Sequence, residues 1–472
     1  MTGWIFLLGL IVRLPVLLFG AAHVPPAADG RFYHVVAERI AHGQGYTWLW
    51  PDGAVTYAAH YPIGYPALVG LGYALFGSHP WVAMAEGAVL GALGAAAMVE
   101  PCRRAVLASP WPNRASRVAT LTGLLLAVAP SLVAYVPAMM TEVPVAALGA
   151  LCLRTSLWTR DRPTLGRCLV LALLAGLSIL FRPQMLLLSP VWGLLAISGT
   201  WRRRLALAAL VSAGSLLVVL PWTLRNCERM EHCLLVSANG GWNLLIGTFP
   251  EGQGAWIGID GERVPEQCRT VFQEAEKDAC FGQAGLRRIR ERPLPWLALL
   301  PAKWRATFDF TGAAASHLHE AGALGERGRL LLGGVEIVSQ RLGYLAGLLG
   351  LGALARVRRP GLSGWIVLGL VMLGVAGLLG LGAWLGFGAL SVLGALCLGP
   401  DLDPGTTFPL AAIFTTALVH GVFFGAGRYS LPLVLWTGPW LALGLAWLGE
   451  AALGSRAGPQ GRTFDTRAPS RG

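Results

Sequence analysis

Residues 365–398 read WIVLGLVMLGVAGLLGLGAWLGFGALSVLGALCL, and none of these 34 residues is charged. A membrane-spanning helix needs about 20 mostly apolar residues. Other long apolar runs lie at 121–129, 205–220 and 431–448. The sequence therefore predicts an all-α polytopic membrane protein.

The composition of the whole chain agrees with this class. Of its 472 residues, 54% are hydrophobic and only 13% are Asp, Glu, Lys or Arg, whereas a soluble domain carries roughly 25% charged residues. So few charges cannot cover a soluble globule of this size, and the dominance of apolar residues excludes a disordered chain. The net charge of +12 comes mainly from arginines scattered at predicted helix ends, a pattern that does not indicate a nucleic-acid partner.

About twelve apolar segments, give or take two, are predicted to span the membrane. The first segment lacks the basic start and the cleavage site of a signal peptide, so we interpret it as a transmembrane helix. Residues 66–77 form either an interfacial helix or an extension of the second span. The predicted spans are 4–22, 80–99, 117–135, 138–157, 167–181, 183–199, 205–222, 329–355, 362–380, 383–398, 408–424 and 430–449.

Short arginine-rich loops predict which side of the membrane each segment faces. Such loops stay cytoplasmic, and four of them fall on one side of the twelve-span map: 103–117, 154–167, 202–204 and 356–359. This orientation places both termini in the cytoplasm and two long loops outside.

The map divides the chain into four parts. Residues 1–222 form an N-terminal transmembrane module that includes the first outer loop, 23–79. Residues 223–328 form a second outer region, which is too long for a simple connector. Residues 329–450 form the C-terminal transmembrane helices, and 451–472 a disordered cytoplasmic tail.

Four of the eight cysteines lie in the second outer region: Cys227, Cys233, Cys268 and Cys280. An even number in an oxidising compartment indicates disulfide bonds. Four cysteines allow three pairings, of which we prefer the sequence-local one, 227 with 233 and 268 with 280. Four free thiols are the alternative, and a zinc site is disfavoured because no histidine except His232 lies at ligand spacing.

Five ionisable residues gather at the predicted outer ends of the spans: Asp29, Glu142, Arg182, Arg225 and Arg428. Ionisable groups at membrane depth are candidates for function, and the convergence of five on one side is stronger evidence than any single residue. Other polar residues in the spans are given a structural role or none: Arg13, Glu86, Glu336, Arg341 and His420.

Asp29 has two interpretations. Phe32, Val36 and Ile40 follow it at four-residue spacing, which predicts an amphipathic helix at the membrane surface that stops near Gly43. Asp29 is then either the N-cap of this helix or a carboxylate that accepts a proton from a hydroxyl or binds a metal ion.

Five motifs follow one another along the chain. They are DGRFY at 29–33 with GQGY at 43–46 and YPIGYPA at 61–67, then FRP at 181–183, PWTLRN at 221–226, VSANGGWNLLIG at 236–247 and GRYSLP at 427–432. In this order they resemble membrane glycosyltransferases of the GT-C class, which includes protein O-mannosyltransferases and aminoarabinose transferases. The likeness is greatest to the bacterial glycosyltransferase 39-like relatives, and it covers most of the chain.

The resemblance implies transfer of a sugar from a polyprenyl phosphate, with inversion at the anomeric carbon, at the periplasmic face of the bacterial inner membrane. Asp29 matches the first-loop catalytic acid, which deprotonates or orients the acceptor hydroxyl. Help from a divalent ion, Mg²⁺ or Mn²⁺, is left open, and no other cofactor is implied. The donor phosphate is assigned to cationic side chains, whose geometry suits it: Arg225, Arg428, Arg182 and Lys303.

The remaining motif residues are expected near the acceptor or the sugar. Glu142 matches an acidic position that binds acceptor or orients an arginine. Tyr61, Tyr65 and Asn239 are expected to be scaffold, and Asn243 is able to hydrogen-bond a sugar. Lipid, glycan and protein all stay open as acceptor.

A transporter or flippase for a lipid-linked or polar substrate is the alternative function. It also uses many spans and a few buried charges. Transporters are expected to show internal repeats and broken helices near the midplane, and no convincing repeat relates the two halves of this sequence.

Overall fold

Helices make up 76% of the computed structural model, which describes residues 2–309 and 312–454. The first eleven α-helices are Thr2–His23, Asp29–Ala41, Gly64–Phe76, Pro80–Ala97, Val99–Leu107, Ala115–Ala127, Pro130–Ala134, Glu142–Asp161, Leu165–Phe181, Ser189–Leu195 and Trp201–Arg229. The later ones are Gly240–Ile246, Glu274–Glu291, Pro293–Ala298, Leu300–Phe308, Ala313–Glu320, Glu326–Arg358, Gly364–Ala376, Ala383–Leu396, Pro404–Val422, Leu431–Trp436 and Gly438–Gly454. A π-helical segment, Gly377–Leu381, continues Gly364–Ala376.

Seven helical segments in the described ranges are long and apolar enough to cross a membrane, and an eighth is added if one bent pair is counted as a single span. The seven are Thr2–His23, Pro80–Leu107, Pro112–Ala138, Trp201–Arg229, Glu326–Arg358, Gly364–Leu381 and Pro404–Val422. Shorter apolar helices lie at Gly64–Phe76, Leu165–Phe181, Pro183–Leu195 and Ala383–Leu396. The membrane-protein class is thus supported, but the expected count of twelve spans is not confirmed.

Breaks within the apolar segments explain part of this difference. The last apolar segment bends by 55° between Gly427–Trp436 and Gly438–Ala452, where Gly438 is followed by Pro439. The span expected at 138–157 starts at Glu142 instead, because Met139 adopts a left-handed backbone conformation with φ of 52°. Apolar periodicity does not reveal such breaks.

The first outer loop contains more structure than the amphipathic helix. Asp29–Ala41 is followed by a small antiparallel hairpin of Thr47–Leu49 and Val55–Tyr57, so the expectation of an all-α chain needs this correction. Asp52 lies in the hairpin turn, where its carboxylate accepts a hydrogen bond from the Ala54 amide at 3.0 Å. Residues 66–77 belong to a separate helix, Gly64–Phe76.

Two disulfide bonds hold the second outer region, and they follow the preferred sequence-local pairing. Cys227 bonds to Cys233 at the end of the long helix Trp201–Arg229, and Cys268 bonds to Cys280 within Glu274–Glu291. The other four cysteines are free and buried.

Arg13 closes a helix end in the core of the N-terminal module. Its side chain is fully buried, and Nη1 donates to the carbonyl of Gly9 at 3.0 Å and to that of Ala127 at 2.8 Å. Because Ala127 ends the helix Ala115–Ala127, the bond satisfies one of its free carbonyls. The expected structural role of Arg13 is therefore a helix cap.

The predicted cytoplasmic tail lies mostly outside the described residues. The last helix continues to Gly454, past the predicted boundary at 451, and 455–472 are among the residues that the structure does not describe.

Candidate active site

Asp29 is the first residue of the helix Asp29–Ala41, and both of its carboxylate oxygens are engaged in side-chain bonds. Oδ1 accepts a hydrogen bond from the Tyr61 hydroxyl at 2.7 Å, and Oδ2 accepts one from Arg428 Nη2 at 2.8 Å. The helix has Ala28 at its N-cap position with no side-chain cap bond. The N-cap interpretation of Asp29 is therefore wrong, because its oxygens face other elements of the fold.

Arg428 connects Asp29 to a second carboxylate. Its Nε lies 3.8 Å from Oε1 of Glu142, which is 1% exposed and opens the helix Glu142–Asp161. The same Glu142 oxygen accepts a hydrogen bond from Arg182 Nη2, and Arg182 Nε donates to the Thr141 hydroxyl at 3.0 Å. Two carboxylates and two guanidiniums thus form one ion-pair network, which we call the charge cluster.

The cluster keeps Asp29 ionised. Burial raises the pKa of the Asp29 carboxyl, but the charge of Arg428 and the hydrogen bond from Tyr61 outweigh it and hold that pKa below its usual value. Burial and the Asp29 charge raise the pKa of Tyr61, so its hydroxyl stays protonated and donates. At neutral pH the site therefore presents a carboxylate beside a phenol.

Arg182 and Arg428 each keep a guanidinium nitrogen that forms no strong hydrogen bond within the described residues. Arg428 Nη1 contacts only the Met140 sulfur, at 3.9 Å, and within the described ranges Arg182 Nη1 makes no hydrogen bond. Both guanidiniums lie 5.3 Å from the centre of the Tyr429 ring. Two adjacent cations with spare N–H groups form a fitting site for an oxyanion.

A cavity of about 450 Å³ adjoins the charge cluster and is lined by Tyr61, Arg182 and Arg428. Its apolar wall comes from Phe181, Leu186, Leu187 and Phe423, and its other polar lining includes Asn239, Asn243 and His420. A pocket with both kinds of wall suits a ligand that has an apolar chain and a polar head.

Two predicted site residues, Asp29 and Glu142, therefore meet at Arg428. Tyr61 joins them through Asp29, and Arg182 joins through Glu142. Asn239 and Asn243 line the cavity without joining the cluster. Tyr65 is buried with its ring 5.2 Å from that of Tyr33, a packing position that fits the scaffold role expected for it.

Two predicted phosphate ligands lie elsewhere. Arg225 donates to the carbonyls of Ala58 and Tyr46, both at 2.9 Å, so its guanidinium fastens the first outer loop to the end of Trp201–Arg229. Lys303 is buried and donates to the carbonyls of Gly421 and Val422 at 3.0 and 3.2 Å, which caps the helix Pro404–Val422. Neither lines the cavity, and the contacts of both in this structure are those of structural residues, so their role as phosphate ligands stays a prediction.

Close packing explains a glycine in the first motif. A Cβ atom on Gly30 would lie 2.9 Å from the carbonyl oxygen of Ala138, so a larger side chain next to Asp29 would force the helix away from the 138–142 segment. The same closeness brings Asp29 and Glu142 to a common arginine.

Backbone strain accompanies both carboxylates. Ala28, directly before Asp29, has φ of 49°, and Met139, three residues before Glu142, has φ of 52°. Non-glycine residues with positive φ cost free energy and tend to occur where the surrounding structure over-determines a functional geometry. Two of the five such residues in the described ranges therefore lie within three positions of a site carboxylate; the others are Glu231, Gln253 and Leu402.

His420 and Tyr429 line the same cavity, although neither was assigned a role in the chemistry from the sequence. The His420 ring stacks on Tyr429 at 4.2 Å between centroids, and both line the cavity. The adjacency of Tyr429 to Arg428 in the last motif was the available signal. For His420 there was only its position near the predicted outer end of a span.

The residues present do not fit a divalent metal ion. Within the described part of the chain no group of three His, Cys, Asp or Glu residues is arranged to hold one. The two carboxylates at the site already share the charge of Arg428, and Glu142 is also paired with Arg182. Of their four oxygens only Glu142 Oε2 is without a hydrogen-bond partner among the described residues, and one free oxygen does not make a divalent-metal site.

Comparisons with known proteins give the following findings. No protein-family model and no curated protein matches the chain. Among solved structures, it is similar to the Archaeoglobus fulgidus oligosaccharyltransferase in complex with Zn and sulfate, with 14% identity and a TM-score of 0.44 over 93% of this chain and 49% of that one. The chain thus spans about half the length of that oligosaccharyltransferase.

Two further structures are similar. Oligosaccharyltransferase AglB from the same organism, in complex with an inhibitory peptide and a dolichol-phosphate, has 14% identity and a TM-score of 0.41 over 97% of this chain and 52% of that one. ArnT from Cupriavidus metallidurans, bound to undecaprenyl phosphate, has 18% identity and a TM-score of 0.38 over 96% of this chain and 78% of that one.

Proposed function

We propose that the chain is a membrane glycosyltransferase that moves a sugar from a polyprenyl-phosphate donor to an acceptor hydroxyl. One observation carries the proposal: an ionised carboxylate, Asp29, is held by an arginine that also lines an amphipathic cavity. A base and an oxyanion site so close together are what such a displacement requires.

Asp29 faces the acceptor in this proposal. The acceptor oxygen forms a bond to the anomeric carbon on the face opposite the phosphate, which inverts the configuration. The acceptor proton moves to the Asp29 carboxylate and from there to water. Because the pKa of Asp29 is held low, it orients the hydroxyl first and takes the proton as the new bond makes that proton acidic.

Arg182 and Arg428 face the donor. The bond between the anomeric carbon and the phosphate oxygen breaks, and the phosphate leaves with the electron pair. The spare N–H donors of the two guanidiniums stabilise the charge that develops on it. No metal ion enters the proposal, because three of the four carboxylate oxygens at the site already accept hydrogen bonds from protein donors.

The apolar wall of the cavity accommodates the first isoprene units. Phe181, Leu186 and Leu187 lie at the junction of two apolar helices, Leu165–Phe181 and Pro183–Leu195. A lipid tail in this position keeps contact with the membrane while its phosphate meets Arg182, the residue that follows Phe181.

We place the reaction at the periplasmic face of the bacterial inner membrane, with both termini in the cytoplasm. The arginine-rich loops support this orientation, and two disulfides in the second outer region fit an oxidising compartment. The partners are then a polyprenyl-phosphate-linked sugar and membrane lipids. Lipid, glycan and protein acceptors all present the hydroxyl that this chemistry needs.

Purified protein in liposomes, supplied with undecaprenyl phosphate linked to various single sugars and with candidate hydroxyl acceptors, tests the proposal. We expect release of undecaprenyl phosphate and a glycosylated acceptor. If the sugar–phosphate bond stayed intact in every donor while the lipid crossed the bilayer, the chain would be a flippase and the proposal would be overturned.

A further inference from the structure

His420 is the one histidine among the residues that line the cavity beside the charge cluster, and the proposed sugar transfer does not use it. It is 6% exposed, lies in the last turn of Pro404–Val422 and stacks on Tyr429. Its Nε2 atom is buried without a hydrogen-bond partner among the described residues. Buried polar atoms without a partner are uncommon and call for an explanation.

The other ring nitrogen fixes what Nε2 can do. Nδ1 lies 3.0 Å from the carbonyl oxygen of Phe424, and a carbonyl oxygen only accepts hydrogen bonds. Nδ1 therefore carries the proton, and in the neutral ring Nε2 is an acceptor. The residues that line the cavity thus include one with an unpaired acceptor, His420, and two with guanidinium donors, Arg182 and Arg428.

Only one part of the polyprenyl-phosphate sugar can donate a hydrogen bond to His420 Nε2. A phosphodiester is anionic at neutral pH and offers only acceptor oxygens, and a polyprenyl chain offers no polar group. Sugar hydroxyls are donors, and the donor sugar is attached directly to the phosphate that the arginines are proposed to hold.

We propose that His420 accepts a hydrogen bond from a hydroxyl of the donor's sugar and so contributes to selecting that sugar. The inference rests on the proposed function and deepens it. It makes His420 a specificity residue, since a site built to bond a hydroxyl discriminates against a sugar that lacks it at that position.

Two substitutions of His420 distinguish the role of Nδ1 from that of Nε2. In His420→Asn the amide nitrogen replaces Nδ1 and keeps the bond to Phe424, but the Nε2 acceptor is lost. In His420→Gln the amide reaches the position of Nε2 and restores an acceptor there. His34→Asn is the matched control, because His34 lies outside the cavity and bonds to Tyr73.

The measurement is binding to purified protein, without any acceptor, of undecaprenyl phosphate and of its glucose, mannose, galactose and N-acetylglucosamine conjugates. We expect His420→Asn to bind the conjugate that wild type prefers about tenfold more weakly and to bind undecaprenyl phosphate like wild type. His420→Gln and His34→Asn should bind both like wild type.

Other outcomes overturn the inference. Equal weakening of both ligands in His420→Asn would assign His420 to packing or to the phosphate, and unchanged binding of both would assign it to the acceptor or to no ligand. If wild type bound none of the lipids, the proposed function itself would fail, and this result is distinct from a failure confined to His420.

Discussion

Arg428 Nη2 donates a hydrogen bond to Asp29 Oδ2 at 2.8 Å, although 399 residues separate them in the chain. The pair joins the first outer loop to the start of the last apolar segment. It also supplies the counter-charge that keeps a half-buried carboxylate ionised. Removing either partner takes the nearest counter-charge from the other in a poorly solvated place: Arg428 then keeps only Glu142, and Asp29 only the Tyr61 hydroxyl. Both are therefore sensitive positions.

Arg428→Gln is predicted to reduce sugar transfer about 100- to 1,000-fold, because the leaving phosphate loses a charged donor. Arg428→Lys should recover only part of the loss, since an ammonium cannot contact Asp29 and the phosphate with separate, fixed N–H groups. Initial rates at saturating donor measure the effect. Arg229→Gln, at an exposed outer arginine, is the control and should transfer at the wild-type rate.

Tyr61→Phe is predicted to move the acidic limb of the pH–rate profile to higher pH. The Tyr61 hydrogen bond helps to lower the pKa of Asp29, so its removal raises that pKa, and protonation then inactivates Asp29 at a less acidic pH. The same lowered pKa means that ionised Asp29 stabilises the folded protein. This contribution is fully present above the ordinary carboxyl pKa and is lost as the pH falls through the lowered pKa of Asp29. An unshifted limb would contradict the role of this bond, and Tyr57→Phe, in the exposed hairpin, controls for loss of a phenol.

The variant Arg225→Gln tests whether Arg225 stabilises the fold or binds the donor phosphate. Because Arg225 bonds to the carbonyls of Ala58 and Tyr46, its loss should destabilise the protein by about 2 kcal/mol. Donor affinity, measured below the unfolding temperature, should stay at the wild-type value. A large fall in donor affinity without loss of thermal stability would return Arg225 to the phosphate site.

The disulfides are predicted to stabilise the outer region unequally. The loop closed by Cys268 and Cys280 spans 12 residues and that closed by Cys227 and Cys233 spans 6, which corresponds to about 3 and about 2 kcal/mol in the chain-entropy account. Double serine variants at each pair, followed by thermal unfolding, measure the difference. Equal and negligible shifts would show that neither bond forms in the native protein.

The sequence anticipated features that depend on neighbouring residues. Apolar length predicted the membrane class, short separations predicted both disulfides, and the periodicity after Asp29 predicted a helix close to the observed Asp29–Ala41. The hairpin in the first outer loop was not predicted, because each of its strands has only three residues. That length is too short for an alternating pattern to be recognised.

The site depended on contacts that no local pattern contains. Motif position predicted the same role, binding of the donor phosphate, for Arg225 and Arg428. In the structure Arg225 bonds to backbone carbonyls and Arg428 bonds to Asp29. The partner of Lys303 is likewise a helix end more than 100 residues away. Which cations are free to meet a ligand is decided by packing between distant segments, and a single sequence does not reveal this.

Asp29→Asn tests the central claim most directly, with Asp52→Asn in the same outer loop as the matched control. The account predicts that Asp29→Asn loses at least 100-fold in the rate of sugar transfer. Undecaprenyl phosphate should bind as tightly as before or more tightly, because Arg428 loses the nearer of its two counter-ions and keeps only Glu142. Asp52→Asn should transfer at the wild-type rate. Wild-type transfer by Asp29→Asn would contradict the account.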